Sequence, residues 1–262
     1  MVHIDKEKCI GCGLCAADCL AKSISLDSGK AEITKACFMC GHCVAVCPTE
    51  AVSFQGEKYD MADVESVGAG FGIDSETMLH AIKTRRSIRR FKDKGVEREL
   101  LETILEAGRF SPTGSNAQNV RYIVFSEDTE KLRALAMEEL RSLEHDEEAF
   151  VRVFPPPMSR YRMDFKDDNF LFKGAPVIIL TVSPSVVNAT IASANMELQA
   201  VAMGLGMLYV GFFVRIAASS ERVREFLGLE EGEHVMNCLC FGWPDVEYLR
   251  TVPRRKLNAQ WR

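Results

Sequence analysis

From Ser75 to the C-terminus, apolar residues recur in two rhythms. "SETMLHAIKT" has helical spacing, with Ser75 as the expected N-cap. "VERELLETILEAGRF" puts Leu100, Leu101, Ile104, Leu105 and Gly108 on one face, which predicts a helix. "TEKLRALAMEELRSL" predicts another amphipathic helix, and "TIASANMELQAVAMGLG" a mostly apolar one that ends in glycine. "VRYIVFS" reads as a strand and "APVIILTVS" as a buried strand. "MLYVGFF", "ERVREFLGL" and "HVMNCLCFG" continue as strand, helix and strand. Long helices around a few strands predict an α+β domain. The apolar character of the helices points to burial within an oligomer.

Before Ser75 the pattern changes. Residues 56–75 lose apolar periodicity and collect glycines, so they read as a linker between residues 1–55 and 76–262. "GAGFG" within it has neither the spacing nor the flanking strand and helix of a dinucleotide loop. The first 55 residues carry the pattern C-x2-C-x2-C-x3-C twice, from Cys9 and again from Cys37, an offset of 28 residues. The similarity extends to "CLAKSISL" and "CPTEAVSF", so this is an internal duplication. Each copy reads as a cysteine-bearing turn, a short helical stretch and a short strand. Val2–Ile4 and Ala31–Ile33 are available as the other strands of two small hairpins.

Zinc is the competing chemistry, but zinc sites usually use two well-separated C-x2-C pairs. Three cysteines spaced two apart, then a fourth, match a 4Fe–4S run instead. Such a loop wraps three corners of a cubane and takes the fourth ligand from elsewhere. Residues 1–55 resemble two-cluster bacterial ferredoxins. That resemblance implies one cluster on Cys9, Cys12, Cys15 and Cys47 and another on Cys37, Cys40, Cys43 and Cys19. Pro48 follows the last cysteine of the second run as in that family, whereas Leu20 follows Cys19. A domain this small needs its clusters as core.

Composition narrows the partners. A net charge of −5 is unsuited to general nucleic-acid binding. No stretch is apolar enough for a membrane span, because Glu197 and Gln199 interrupt the best candidate. "MVHIDKEKC" lacks the apolar core of a secretory signal, so the expected location is the cytoplasm. Tight cysteine clusters suit that reducing compartment.

Three stretches of the large domain suggest chemistry. "RRSIRRF" offers Arg85, Arg86, Ser87, Arg89 and Arg90 as phosphate ligands, with a solvated basic face as the alternative. "SPTGSNAQNV" is a polar turn whose hydroxyls and amides suit the edge of a heterocycle, or a plain loop. The tail "TVPRRKLNAQWR" adds Arg254, Arg255 and Lys256. Together with "GAPVIIL", "ANMELQAVAMGLGMLYVGFF" and "FGWP", these stretches resemble the FMN-dependent nitroreductase family over residues 76–262.

That resemblance implies an α+β sandwich forming an obligate homodimer, with two FMN molecules in the interface. Arg85, Arg86, Ser87 and Arg89 would hold the phosphate and the pyrimidine side of the flavin. Pro112, Thr113, Gly114 and Asn116 would reach the flavin from the partner subunit. Val210 and Gly211 would approach its N5 through backbone groups, and Arg254 and Arg255, or Lys256 in place of one of them, would close on the phosphate.

A ferredoxin domain joined to a flavoenzyme reads as an intake for single electrons. The expected function is an oxidoreductase carrying electrons from reduced ferredoxin, or another low-potential donor, to FMN and then to a small nitro, quinone or enone acceptor. The alternative is an electron-transfer protein relaying electrons to a redox partner without a small substrate. No catalytic acid stands out. Residues 145–172 read as a lid over the pocket, with Phe154, Tyr161, Arg162 and Phe165 as lining candidates, or as a surface excursion. Cys238 and Cys240 read as packing residues, and His42 and His80 as incidental.

Overall fold

The computed structural model describes residues 1–68, 72–156 and 165–262. It divides into two compact units. One contains Met1–Gly72 and Gly114–Ala117, the other Ile73–Thr113 and Gln118–Arg262. Among the described residues, no helix is long and apolar enough to cross a membrane.

The first unit holds two small two-stranded antiparallel sheets. Strand β1 (Val2–Ile4) pairs antiparallel with β4 (Val52–Phe54), and β2 (Ile24–Ser25) with β3 (Glu32–Ile33). Each cysteine run ends in a single helical turn, α1 (Leu14–Ala17) or α2 (His42–Ala45). The duplication is therefore visible in space, with the strands where the sequence pattern expects them. The core is small: Ile4, Ile24, Ala31, Ala51 and Val52 pack with Cys9, Cys15 and Cys43. So few apolar side chains offset little of the chain entropy lost on folding.

The second unit is a four-stranded antiparallel sheet between two helical layers. Its strands are β5 (Arg121–Phe125), β6 (Val177–Val182), β7 (Gly206–Tyr209) and β8 (Val235–Gly242), in the order β5-β6-β8-β7. Every residue of β6 is buried. Its alternate positions serve different layers, as a pleated strand requires. Val177 and Ile179 pack with Leu101 and Ile104 of α4 (Arg98–Arg109) and Met196 and Ala200 of α7 (Val186–Ala202). Ile178, Leu180 and Val182 pack with Leu132, Ala136 and Leu140 of α5 (Thr129–Glu144). Cys238 and Cys240 are buried on this second face, consistent with packing.

Two sequence expectations are corrected locally. The N-cap of α3 (Ser75–Thr84) is Asp74, whose carboxylate accepts the N–H groups of Glu76 (3.1 Å) and Thr77 (2.9 Å). Ser75 is already helical. "MLYVGFF" is not one strand. β7 ends at Tyr209, and α8 (Gly211–Ser219) begins two residues later. Phe213, Ile216 and Ala217 are its buried residues, spaced for one helix face. Two more helices, α6 (Glu147–Val153) and α9 (Glu221–Phe226), complete the described elements used below.

The lid expectation also fails where it can be examined. Phe154 is fully buried and Phe165 nearly so, both in the main core. Phe154 packs between Phe150 of α6 (centroids 5.1 Å) and Phe212 of α8 (5.0 Å). Phe170 joins Phe165 (4.9 Å) to Phe212 (5.7 Å). An aromatic chain of this kind buries too much apolar area to open to solvent cheaply. Tyr161 and Arg162 lie outside the described residues.

Phe154→Ala should therefore behave as a core truncation, costing about 3–5 kcal/mol in denaturant unfolding. A loss under about 1 kcal/mol, within the usual range for surface changes, would restore the lid reading.

Candidate cofactor sites

Folding the duplicated unit brings the eight cysteines into two crossed sets. Cys9, Cys12, Cys15 and Cys47 line one cavity, with Ile4, Leu26 and Thr49 among its other walls. Cys19, Cys37, Cys40 and Cys43 line the second, with Val2, Ile24 and Phe54. Each is a small cavity of about 20 Å³. In each, three ligands come from one run and the fourth from the other. Among the described residues, no three His, Cys, Asp or Glu side chains close on a single-ion position. Four cysteines line each cavity, the number a 4Fe–4S cluster needs.

The backbone is arranged for sulfur that carries negative charge. Ala51 N–H points at Cys47 Sγ (3.2 Å), Ser23 N–H at Cys19 Sγ (3.3 Å) and Met39 N–H at Cys37 Sγ (3.3 Å). N–H donation from Ala31 and Gly11 holds the Cys9 thiol below its usual pKa. Burial pushes the Cys43 thiol up to about 11, and Cys15 upwards as well. A bound metal would favour their thiolate forms.

In the second unit, the basic segment is fixed to the edge of the sheet. After α3, Ser87 bridges Met207 of β7, and Ile88 N–H donates to Met207 O (2.9 Å). Phe91 then bridges Pro244, and Lys92 N–H donates to Trp243 O (2.8 Å). This close approach depends on glycine. A Cβ on Gly206 would lie 2.4 Å from Ile88 Cγ1, and one on Gly242 2.9 Å from Phe91 Cδ1.

Arg85 emerges at the head of this segment and donates from Nη1 to Glu197 Oε1 of α7 (2.7 Å). The pair is largely buried, with side-chain exposures of 22% and 11%. Burial pushes the Glu197 carboxyl upwards in pKa, and Arg85 opposes that shift. Tyr209, at the end of β7, feels both charges, and burial pushes its phenol up to about 12. Beside it, Val210, Gly211, Val214, Arg215 and Asn237 line an open depression of about 390 Å³ with Tyr209. That is within the size range of small-molecule sites.

This sheet, with its flanking helices, matches solved structures of one family. A nitroreductase with bound FMN from Desulfitobacterium hafniense DCB-2 is 27% identical, with a TM-score of 0.55. The match covers 72% of this chain and 100% of that one. The nitroreductase family pattern matches residues 82–243, more than half of the chain. The chain belongs to the nitroreductase family. A 4Fe–4S dicluster domain matches residues 1–48, ahead of the nitroreductase region. Among relatives, a putative NADH dehydrogenase/NAD(P)H nitroreductase of Archaeoglobus fulgidus is 28% identical over 174 residues, covering 66% of this chain and 88% of its own. An NADPH-flavin oxidoreductase of Vibrio harveyi is 30% identical over 167 residues, covering 64% of this chain and 65% of its own. The chain is thus a nitroreductase-family oxidoreductase that also carries a dicluster domain.

The nitroreductase unit brings some predicted residues together and leaves others apart. Arg85, Ser87, Val210 and Gly211 gather around β7. Arg86 is half-buried on the same segment, and Arg89 is exposed. Pro112 and Thr113 belong to this unit, where Thr113 Oγ1 accepts the Gln118 N–H (2.9 Å). Gly114 and Asn116 group with the first unit, and Asn116 has a left-handed backbone (φ 54°). Arg254 and Arg255 lie in a tail from Thr251 onward that is exposed throughout and has no regular structure. Glu197 and Tyr209 were not foreseen as site residues. One signal for Glu197 was present: it is the lone acid in a long apolar helix.

Two outcomes check these sites. Anaerobically purified protein should contain about eight iron and eight sulfide per chain; zinc without labile sulfide would contradict the cluster assignment. Arg85→Ala strands the Glu197 carboxylate and should cost about 3 kcal/mol in urea unfolding. The double variant with Glu197→Ala should recover part of that loss. A double variant as costly as the sum of both single changes would mean that the pair is not coupled.

Proposed function

We infer that this chain takes electrons from a low-potential donor such as reduced ferredoxin, carries them through two 4Fe–4S clusters, and delivers them by way of FMN to a small organic acceptor. In this reading residues 1–55 are the electron-carrying domain, 56–75 the linker and 76–262 the flavin domain. The observation that carries it is the joining of two cysteine cavities to a nitroreductase fold in one chain. A fold of this family alone does not require an electron wire.

The donor set fits a phosphate-bearing flavin. Arg85, Arg86 and Arg89 supply guanidinium forks, and Ser87 a hydroxyl, within five residues of one extended segment. Arg254 and Arg255 would add charge to the phosphate once the tail is placed. Val210 and Gly211 would offer backbone groups to the flavin ring, and the depression beside them would receive the acceptor. Pro112, Thr113, Gly114 and Asn116 would act from a second subunit. Bound FMN supplies the exchange between one- and two-electron chemistry; the protein supplies position and charge.

A homodimer is supported by apolar surface left without cover. On α3, Leu79 and Ile82 are half-exposed, and in the tail Leu257 and Trp261 are about nine-tenths exposed. Such residues usually mark an interface when they cluster.

The relatives named for NADH and NADPH make nicotinamide the competing donor. The experiment compares the full-length protein with a chain beginning at Ile73, using retained FMN and its bleaching by dithionite as the folding control. Reduced ferredoxin should reduce the flavin quickly only in the full-length protein, and NADPH slowly in both. If the shortened chain turns over with NADPH as fast as the full-length one, the clusters are not the intake.

A further inference from the structure

We propose that the two clusters are inequivalent: Lys30 and Thr49 hold the cluster of Cys9, Cys12, Cys15 and Cys47 at the higher reduction potential, so that it fills first. This rests on the cluster assignment above. The duplication serves as an internal control, because the eight cysteines and most of the first cavity's lining have counterparts 28 positions away that line the second. Features that repeat cancel, and features that do not repeat set the difference.

The main backbone donors repeat. Ala51 N–H to Cys47 Sγ (3.2 Å) corresponds to Ser23 N–H to Cys19 Sγ (3.3 Å). Gly11 N–H on Cys9 corresponds to Met39 N–H on Cys37. Thr49 does not repeat. Its hydroxyl lies 3.7 Å from Cys47 Sγ, and toward an iron-bound sulfur it can only donate. The counterpart is Ala21, which has no donor. Lys30 does not repeat either. Its ammonium donates to the Cys9 carbonyl, a neutral acceptor, which places a positive charge beside that cysteine. The counterpart is Val2, which lines the second cavity. Ala31 N–H adds a further contact to Cys9 Sγ (3.5 Å).

Each cluster gains one negative charge when it takes an electron. A nearby cation and hydrogen bonds to sulfur stabilise that reduced state and raise the potential. Other positions also fail to repeat: Asp5 stands against Ile33 and Glu7 against Lys35, with the unfavourable sign at the first cluster. Lys22 stands opposite Glu50 in the repeat, with the favourable sign at the second cluster, but both are exposed and screened. His42 lines the second cavity where Leu14 lines the first.

The test is a dithionite titration of the intact holoprotein, with the clusters followed by electron paramagnetic resonance. Two separate one-electron steps are expected. Lys30→Val with Thr49→Ala installs the residues of the sister positions and should move only the upper step, downward towards the lower. Lys30→Arg keeps the charge and should leave both steps in place. Should the double variant lose iron, Thr49→Ala alone is read in the same way. Coincident steps in the unaltered protein would overturn the proposal. So would variants that move the lower step or neither step. Iron absent from the unaltered protein would instead refute the cluster assignment beneath it.

Discussion

A strand at the edge of a sheet leaves a row of backbone groups without partners. In the nitroreductase unit that strand is β7, and the chain covers it with its own basic segment. Ile88 N–H satisfies the Met207 carbonyl, and Ser87 bridges the same residue. Sealing the edge also sets Arg85 and Ser87, the proposed flavin ligands, beside β7. Gly206 and Gly242 allow the approach, since any larger residue at either would collide with a packed neighbour. Site and sheet edge are therefore one structure, and a change that loosens the edge also moves the cations.

Burial then sharpens what those cations can do. Arg85 is held by Glu197, a carboxylate that α7 carries into an otherwise apolar layer. An ion pair of this kind adds little net stability, because both charges have lost water. It does hold the guanidinium in one orientation, with its remaining donors available. Tyr209 and the depression beyond β7 share the same surroundings. The dicluster unit obeys a different constraint. Its apolar core is too small to carry the fold alone, and its buried Cys15 and Cys43 thiols resist ionisation without metal. In small domains of this kind metal binding commonly contributes to folding.

Much of this was legible in the chain itself. The cysteine spacing named the clusters and, through the ferredoxin resemblance, the crossed ligand sets that line the two cavities. Periodicity located α4, α5, α7, β5 and β6, because each buries a regular stripe or an unbroken run. It failed at "MLYVGFF", where an apolar run of that length fits either state. The switch to helix at Gly211 follows from what Phe213 and Ile216 pack against. It also failed for Phe154 and Phe165, whose charged and proline-rich surroundings suggested a lid although the rings belong to the core.

The sequence by itself determined which local chemistry exists: two cysteine repeats, one basic segment and the periodicities of the main elements. Those depend on neighbours a few residues apart. Only the tertiary structure decided the partnerships. Arg85 and Glu197 are 112 residues apart, and Ser87 and Met207 are separated by most of the second unit. No local pattern encodes such pairs, because they arise when two independently formed elements pack on the same sheet and must satisfy the polar groups they bury.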